Sequence, residues 1–369
     1  MTNIARGRRL SKTISALVFC LVTVCSCGQQ GTSNPAAAWR FAVSGDSRNC
    51  GDVVMPAIAA GAQRDQAAFY WHLGDLRAIY DFDQDFRQLA GSQGKQPTIL
   101  EYESQAWNDF IQNQVTPFGM LPFYLGIGNH ETVPPKTRLE FVAQFADWLN
   151  SPVLRDQRLK DDPKDHQLRT YYHWGKNGID FINLDNASHE EFDAEQMKWV
   201  EAVFARDKSD PRIRTIILGM HAALPDSISA GHSMNEWMEG IATGRQVYQD
   251  LLKLRDEAHK NVYVIASHSH FFMDGIFNTE YWRTHGGVIP GWIVGTAGAV
   301  RYPLPPDAPD AKAAMTNVYG YLLATAGAED GTVKFEFKQL EEKDIPADVM
   351  QRFTTPFVHE CFAGNRRPN

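Results

Sequence analysis

Five apolar runs of the chain end in the same way. Each passes into a glycine or another small residue and then into a polar residue able to bind a metal ion: WRFAVSGD, AAFYWHLGD, LPFYLGIGNH, RIRTIILGMH and NVYVIASHSH. Continuous apolar runs of this length predict strands that are buried on both faces. Because α/β folds place their chemistry in the loops beyond the carboxyl ends of such strands, we expect the terminal polar residues to share one site.

The stretches between these runs have helix and hairpin patterns. FDAEQMKWVEAVFARDK predicts an amphipathic helix that begins near Asp193, with Gln196 completing a start similar to a capping box. TYYHWGKNGIDFINLD predicts a hairpin around Gly175–Gly178, and a second hairpin is predicted to turn at Glu329–Gly331. Together these patterns predict an α/β fold in which two mixed β-sheets pack face to face as a sandwich flanked by helices. The polar segment 76–115 is predicted to be an insertion or a lid beside the site.

Residues 1–27 are predicted to be an export signal. Basic residues in ARGRRLSK precede the apolar run TISALVFCLVTVC, which is too short to span a bilayer comfortably. The following VCSCG places a small serine before Cys27, as in bacterial lipoprotein signals, in which that cysteine is lipidated and becomes the mature N-terminus. Cleavage without lipidation is the alternative. We therefore expect an exported protein, in the periplasm or on the outer surface, that is anchored to the membrane if Cys27 is lipidated.

The remainder of the chain divides into three predicted parts. Residues 28–37 are a polar, flexible tether, residues 38–345 form a single domain, and residues 346–369 form a loosely packed C-terminal tail. Cys50 and Cys361 either pair in an oxidising compartment and tie the tail to the core, or remain free thiols. A net charge of −8, without a long basic stripe beyond the signal, argues against a nucleic-acid partner. The sequence does not indicate an oligomeric state.

The polar residues beyond the five runs carry the side chains that metal ions prefer. They are Asp46, Asp75, Asn129, His130, His221, His268 and His270. Carboxylates, amide oxygens and imidazoles suit divalent first-row ions such as Zn, Mn or Fe. His268 and His270 are two residues apart on a predicted strand, so they point to the same face. The set predicts a dinuclear hydrolase site in which one carboxylate bridges two divalent ions about 3.5–4 Å apart.

The order of these motifs resembles that of the calcineurin-like metallophosphoesterase superfamily, which includes the purple acid phosphatases. The resemblance covers roughly residues 39–340 and rests on GDSR, GDL, GNHE, GMH and SHSH, with NGIDFINLD and AEQMKWV in the expected intervals. It implies that Asp75 is the bridging carboxylate. The ligands that it implies are Asp46 and His270 for the first ion, and Asn129, His221 and His268 for the second.

The resemblance also implies a role for His130, which is not a ligand in this pattern. His130 would face the scissile group, either as the general acid for the leaving alkoxide or as a donor to the phosphoryl oxygens. Asp46 would be near enough to orient its ring. His232, in the loop SAGHSMNEW, either contacts the substrate or makes a hydrogen bond within the loop.

The chain departs from the family pattern at two positions. The family commonly has a histidine two residues after the first aspartate, where this chain has Arg48, which cannot ligate a metal. The first ion is therefore expected to bind weakly or only together with substrate, and Arg48 is either a bidentate phosphate clamp or part of a structural salt bridge. The tyrosine that ligates iron in purple acid phosphatases is replaced by Ala78, so no tyrosinate site is expected, and Tyr80 is assigned to the wall or the core.

The function implied by the resemblance is that of an exported metal-dependent phosphoesterase. A metal-activated hydroxide would hydrolyse phosphate monoesters without a covalent enzyme intermediate. A phosphodiesterase acting at the same site is the close alternative. A lipoprotein that uses the fold as a scaffold or binding module, with a degraded metal site, is the alternative from another class.

Overall fold

The apolar runs form strands at the predicted places. The computed structural model describes residues 38–188 and 191–367, so the predicted signal, Cys27 and the predicted tether lie outside the described residues. All described residues belong to one structural unit. The strands of the described chain are β1 (Trp39–Ser44), β2 (Ala67–His72), β3 (Phe123–Leu125), β4 (Tyr172–Lys176), β5 (Ile179–Asn183), β6 (Thr215–Gly219), β7 (Asn261–Ala266), β8 (Phe272–Asp274), β9 (Gly291–Val294), β10 (Ala313–Met315), β11 (Tyr319–Ala326) and β12 (Lys334–Leu340).

Within the described residues these strands form two mixed sheets, as predicted. The first sheet has the strand order β12-β11-β1-β2-β3, in which β1, β2 and β3 are parallel and β11 is antiparallel to both of its neighbours. The second sheet has the order β10-β8-β9-β7-β6-β5-β4, in which β5, β6, β7 and β9 are parallel. The parallel pairing gathers the carboxyl ends of β1, β2 and β3 at one edge of the first sheet, and those of β6 and β7 at one edge of the second.

The two sheets pack face to face on an apolar layer. Side chains alternate between the two faces of a strand. Phe41 and Val43 of β1 therefore face this layer, whereas Ala42 faces the helices. Tyr124 of the first sheet stacks on Trp174 of the second, with ring centres 4.1 Å apart. The sandwich predicted from the sequence is confirmed.

Helices cover the outer faces of both sheets. The α-helices of the described chain are α1 (Gly51–Arg64), α2 (Gln84–Ser92), α3 (Ile99–Phe110), α4 (Arg138–Gln144), α5 (Ala146–Leu149), α6 (Pro152–Asp161), α7 (Ala194–Ser209), α8 (Met238–Asp256), α9 (Glu280–Thr284), α10 (Ala347–Phe353) and α11 (Thr355–Ala363). Buried side chains of α1, α3, α10 and α11 pack on the first sheet, and those of α7, α8 and α9 pack on the second. None of the helices in the described residues combines the length and apolarity needed to cross a membrane.

The helix predicted near Asp193 is confirmed, but the Gln196 side chain makes other hydrogen bonds than those predicted. Asp193 caps α7 by accepting a hydrogen bond from the backbone N–H of Gln196. The Gln196 side chain does not complete a capping box. Instead its amide exchanges two hydrogen bonds with the backbone of Asp185, which follows β5. The two predicted hairpins are confirmed as β4–β5 and β11–β12.

The prediction that residues 346–369 form a loosely packed tail is wrong for the described part of that segment. The apolar side chains of Val349, Phe353 and Val358 are buried on α10 and α11 within the core of the first sheet. Cys361 forms a disulfide with Cys50, which directly precedes α1. Burial of this apolar face and the covalent link join the C-terminal helices to the domain.

Candidate metal centre

The structure brings the seven sequence-predicted polar residues together at the carboxyl ends of five strands. Asp46 follows β1, Asp75 follows β2, and Asn129 and His130 follow β3, while His221 follows β6 and the SHSH pair follows β7. Contacts between these side chains cross from one sheet to the other, as between Asp75 and His221. All of the seven except Asn129 and His268 are buried, and those two are half-buried.

Three of these residues have left-handed backbone conformations. The φ angles are 62° for Asp46, 58° for Asp75 and 64° for His268. This region is unfavourable for residues other than glycine by roughly 1–2 kcal/mol each. Such conformations occur often at functional sites, so the same unfavourable turn at three strand ends is consistent with a functional role for these side chains.

Asp75 belongs to two groups of side chains that are able to hold a metal ion. The first group is Asp46, Asp75 and His270, and the second is Asp75, His221 and His268. Within each group the ligand atoms lie within 4.8 Å of one another. Asp75 is the member that both groups share, and its role as a bridging carboxylate, which the resemblance implies, stays a prediction.

The second group contains converging acceptor atoms. His221 donates its Nδ1–H to the backbone carbonyl of Leu73 at 3.0 Å, so its Nε2 carries the lone pair. This Nε2 lies 3.0 Å from Asn129 Oδ1 and 3.4 Å from Asp75 Oδ1. His268 Nδ1 lies 3.0 Å from the same Nε2. Asn129 Oδ1 therefore lies next to this group, and its role as a ligand stays a prediction.

Two buried carboxylate oxygens in the centre have no hydrogen-bond partner in the described chain. Asp46 Oδ2 accepts from the backbone N–H of His268 at 2.7 Å, and Asp75 Oδ1 accepts from that of His130 at 3.0 Å. The other oxygens, Asp46 Oδ1 and Asp75 Oδ2, are left without a hydrogen bond. Because a buried, unpartnered carboxylate oxygen is unfavourable, these atoms fit ligation of a cation.

The electrostatic environments of the two aspartates differ. Burial raises the pKa of Asp46 to about 6, although His221 in its protonated form acts in the opposite direction. Burial also acts to raise the pKa of Asp75, but the rings of His130 and His221 in their protonated forms and the permanent charge of Arg48 act in the opposite direction and hold it well below its usual range. Asp75 is therefore the ionised carboxylate at the centre of the site.

Glu131 fixes the loops that carry the candidate ligands. Its carboxylate accepts hydrogen bonds from the backbone N–H groups of Asp75, Leu76 and Gly128 at 2.8–2.9 Å. Gly128 is required here, because a Cβ at this position would lie 2.3 Å from Asp75 Oδ1. Burial and the charge of Asp75 raise the pKa of Glu131 to about 8. Glu131 thus positions the loops after β2 and β3 and does not face the metal groups.

His130 is held in one orientation beside Asp75. Its Nδ1–H donates to the backbone carbonyl of Ala78 at 2.6 Å, and its Nε2 lies 3.7 Å from Asp75 Oδ2. Burial lowers the pKa of His130. The ring of Tyr80 stacks on His130 with centres 4.9 Å apart while Tyr80 itself remains 59% exposed. Tyr80 therefore forms part of the wall of the site and is not a core residue.

Arg48 lies within the first group. Its Nη2 is 3.0 Å from His270 Nε2, and its Nε is 3.6 Å from Asp75 Oδ2. The side chain is 11% exposed. Its Nε–H has no hydrogen-bond partner in the described chain. The salt bridge predicted as one of the two roles of Arg48 is present.

His232 lies beside the centre, next to His268. It is half-buried, its ring centre lies 5.4 Å from that of His268, and its Nδ1 contacts the carbonyl of Gly231. His232, Glu236 and His268 form a further group whose ligand atoms lie within 4.8 Å of one another. The loop position predicted from the sequence is thus next to the site.

Sequence reasoning missed Tyr302 and the backbone of Val300. The His270 ring stacks on Tyr302 with centres 4.0 Å apart, and His270 Nδ1–H donates to the carbonyl of Val300 at 2.6 Å. Both residues lie in the loop after β9, at the end of the apolar run GWIVGTAGAVRY. This run has the same strand-and-glycine pattern as the other five. It was not recognised because no metal-binding side chain follows it.

Comparisons with known proteins leave the family open. No protein-family model matches the chain, and no curated protein matches it. Among solved structures, the chain is similar to PhoD, with 14% identity over 89% of this chain and 78% of that chain and a TM-score of 0.48. It is also similar to a phosphatase from Mycoplasma pneumoniae, with 13% identity over 83% of this chain and 94% of that chain and a TM-score of 0.40. At these levels of similarity, assignment of a function rests on the site itself.

Proposed function

We propose that this chain is an exported, metal-dependent phosphoesterase of the calcineurin-like superfamily that hydrolyses phosphate monoesters. One observation supports this proposal most strongly: Asp75 is shared by two metal-capable groups and retains an unpartnered buried oxygen. The donor set combines carboxylate, amide oxygen and imidazole, which suits Zn, Mn or Fe.

The ligands proposed for a divalent ion are Asp75, Asn129, His221 and His268. When bound, such an ion supplies charge for the phosphoryl oxygens and lowers the pKa of a bound water. Leu73 fixes the orientation of His221 through its carbonyl, so that Nε2 faces the site. The family pattern implies a second ion, with Asp46 and His270 as its further ligands.

His130 is proposed to act on the leaving group. Since Nδ1–H is committed to Ala78, donation toward the substrate requires a second proton at Nε2. Burial opposes this proton in the free protein, whereas the negative charge of a bound phosphate ester favours it. His130 then donates from Nε2 to the leaving alkoxide oxygen or to a phosphoryl oxygen.

Arg48 favours monoesters over diesters in this proposal. Its buried Nε–H faces the centre without a hydrogen-bond partner in the described chain. A phosphate monoester has one more ionisable oxygen than a diester, and a guanidinium binds such oxygens through charge-assisted hydrogen bonds. The proposed monoester preference therefore depends on Arg48.

The test is hydrolysis by metal-depleted protein to which Zn, Mn or Fe is returned separately. We expect p-nitrophenyl phosphate to be hydrolysed faster than bis-p-nitrophenyl phosphate, with activity that depends on the added ion. A faster rate on the bis ester would favour the phosphodiesterase alternative. Protein that binds none of these ions and hydrolyses neither ester would favour the scaffold alternative.

Export and lipidation are proposed on the sequence of residues 1–27. Mass spectrometry of the mature protein from a bacterial host should show an N-terminus at Cys27 that carries a lipid, and a Cys27→Ser variant should leave the membrane fraction. A mature N-terminus elsewhere, without lipid, would indicate ordinary cleavage. Retention of the whole signal in the cytoplasm would contradict export.

A further inference from the structure

The Arg48 side chain occupies the space between the candidate ligands of the first ion. Its guanidinium contacts His270 at 3.0 Å and faces Asp75 at 3.6 Å, and the third member of the group, Asp46, lies 3.2 Å from His270 Nε2. The arginine thus reaches the atoms that the family pattern assigns to a metal.

The hydrogen-bond chemistry of His270 excludes simultaneous metal binding in this arrangement. Because Nδ1–H donates to the Val300 carbonyl, Nε2 carries the lone pair that would ligate a metal. That lone pair accepts a hydrogen bond from Arg48 Nη2, since a guanidinium is only a donor. A first-row ion would need to lie about 2.0–2.1 Å from the same nitrogen. Arg48 and an ion therefore compete for one atom.

The charges in the first group favour the guanidinium. Arg48 brings one permanent positive charge to the two buried carboxylates Asp46 and Asp75, because a guanidinium stays protonated in proteins. Asp46 Oδ1 and His270 Nε2 are both acceptors and lie 3.2 Å apart, an arrangement that a nearby cation stabilises. A divalent ion added beside Arg48 would be repelled by it.

We propose that the Arg48 guanidinium takes the place of the first metal ion, so that the chain binds one divalent ion, held by Asp75, Asn129, His221 and His268. Arg48 then supplies the second positive charge to the phosphoryl group through its unpartnered Nε–H. This departs from the two ions predicted by the family pattern. The stoichiometry can be measured without turnover, although the role of Arg48 toward phosphate rests on the proposed function.

Metal content and electron paramagnetic resonance of the Mn²⁺-loaded protein test the proposal. We expect one Mn²⁺ per chain with the spectrum of an isolated ion in the wild-type protein. Arg48→His should bind two, with the spectrum of an exchange-coupled pair. Arg245→His is the matched control, because Arg245 pairs with Asp226, which belongs to none of the metal-capable groups of the described residues.

Two tightly bound ions in the wild-type protein would overturn the proposal, whatever the variants do. If Arg48→His does not fold, Arg48→Ala tests the same competition with a smaller side chain, and it should bind a second ion at high Mn²⁺ concentration. One bound ion in both Arg48 variants would also contradict the proposal. One ion in the wild type without any ester hydrolysis would contradict the proposed function alone.

A different observation supports a second inference. A cavity of about 660 Å³ opens beside the metal centre. Its apolar lining residues are Phe271, Tyr302, Pro303, Leu304, Pro305 and Pro306. Tyr302 stacks on His270, and His232, which lies against His268, forms another part of the wall. The cavity is therefore separated from His268 and His270 by one layer of side chains, His232 and Tyr302.

The cavity wall is mostly apolar, and its charged residues are Arg367 and Asp307. Arg367 lies over the Tyr302 ring, 4.0 Å from its centre, and donates to the Tyr302 hydroxyl at 3.1 Å. Cavities of about 300–1,000 Å³ that combine apolar walls with a few polar groups bind organic molecules well above the size of a phosphate ion. We infer that this cavity binds the alcohol portion of the ester, and that the substrates are phosphate esters of bulky apolar or aromatic alcohols. This inference rests on the proposed function.

A large side chain introduced at Gly231 would fill part of the cavity. A Cβ at Gly231 would meet nothing within 4 Å, and the residue lines the cavity. Gly231→Trp should therefore fold and occupy space proposed for the alcohol. Gly91→Trp is the matched control, because a Cβ at Gly91 also meets nothing within 4 Å and this glycine lies on α2, outside the cavity lining.

The measurement is calorimetric binding of two non-hydrolysable phosphonates to the metal-loaded protein. From the apolar area of the larger ring, we expect wild-type protein to bind 1-naphthylmethylphosphonate about tenfold or more tightly than methylphosphonate. Gly231→Trp should bring this ratio close to one, and Gly91→Trp should leave it unchanged. Equal affinities in the wild type, or an unchanged ratio in Gly231→Trp, would overturn the inference. A preserved ratio in a protein that hydrolyses no ester would contradict the proposed function instead.

Discussion

Two buried clusters of charged side chains adjoin each other in the loop after β2, and they differ in composition. Asp75 belongs to the metal centre, whereas Arg77, two residues later, belongs to a second cluster. The Arg77 cluster consists of Arg77, Asp52, Asp83, Asp85 and Asp109, which join this loop to α1, α2 and α3. The Arg77 side chain is fully buried.

The two clusters differ in composition, and the difference indicates a structural role for the Arg77 cluster and a chemical role for the metal centre. The carboxylates of the Arg77 cluster surround a guanidinium, and none of them belongs to a metal-capable group of the described residues. Burial together with the charge of Asp52 raises the pKa of Asp85 well above its usual range, and burial raises that of Asp109 to about 7. In the metal centre, imidazoles with defined tautomers accompany two carboxylates. Buried charge alone therefore does not identify an active site.

The largest expected effect is loss of activity on removing Asp75. Asp75→Ala should lower kcat/KM for p-nitrophenyl phosphate by about 1,000-fold or more, equivalent to about 4 kcal/mol, because the carboxylate joins both metal-capable groups. Metal content should fall in the same protein. The control is Asp147→Ala on the exposed side of α5, which should keep wild-type activity. Full metal content in Asp75→Ala would contradict the assignment.

Removal of the guanidinium from the Arg77 cluster should lower the stability of the folded protein. Arg77→Met leaves several buried carboxylates without their guanidinium, and we expect the free energy of unfolding to fall by about 3–5 kcal/mol. Urea denaturation followed by circular dichroism measures this change. Arg87→Met, at an ion pair in which both side chains are largely exposed, should change it by less than about 1 kcal/mol. Equal losses in both variants would argue against a structural role for the Arg77 cluster.

His173 provides an intermediate case, an imidazole whose two nitrogens both face carboxylates. Burial on its own lowers the pKa of His173, but the charge of Asp180 and hydrogen bonds to Asp161 and Asp180 raise it to about 9. Arg206 and Asp207 also face this group. Because the pKa in the folded state exceeds the unfolded value of about 6.5, this stabilisation is complete below pH 6.5 or so and is lost as the pH rises through about 9.

The free energy of unfolding should therefore fall by up to about 3 kcal/mol between pH 6 and pH 10. Urea titrations at each pH measure it. His173→Gln should flatten this dependence, while exposed His166→Gln should preserve it. An unchanged slope in His173→Gln would show that other groups account for the pH dependence.

The smallest expected effect concerns the wall of the centre. Tyr80→Ala removes a ring that stacks on His130 but leaves a mostly exposed position, so kcat/KM should fall by about two- to tenfold, with little change in stability. Leu139→Ala, at a residue that is 83% exposed on α4, is the control for loss of exposed apolar surface. A loss as large as that of Asp75→Ala would give Tyr80 a direct role in the reaction.

The sequence predicted the sandwich and the strand-end residues because both depend on local patterns. Apolar runs reveal buried strands, and parallel pairing brings their carboxyl ends together, so Asp46 and His221 could be placed at one site before the fold was known. The Arg77 cluster was not predicted, because its members lie on separate elements and belong to no motif. Segment 76–115, predicted as an insertion or lid, includes α2 and α3, which this cluster joins to α1.

Other parts of the site depended on tertiary contacts that no single pattern reports. Tyr302 comes after a strand whose loop lacks a metal-binding side chain, so it gave no signal. The Cys50–Cys361 pairing joins residues 311 positions apart, and the sequence left it open. Arg48 was recognised as unusual, yet its contact with His270 could be established only from the geometry.

The left-handed turns at Asp46, Asp75 and His268 have a consequence for how this site can be found experimentally. Each turn is one that glycine adopts without penalty, and two of the three side chains are fully buried acids. At Asp75, glycine would relieve the backbone but leave the buried Arg48 guanidinium without its carboxylate, so a net loss of stability is expected there. At His268, whose side chain is half-buried, glycine should raise thermal stability in the absence of metal while lowering activity, which is the trade-off expected of active sites. A survey of variants scored for stability alone, without any known substrate, would then mark His268 as a candidate functional position.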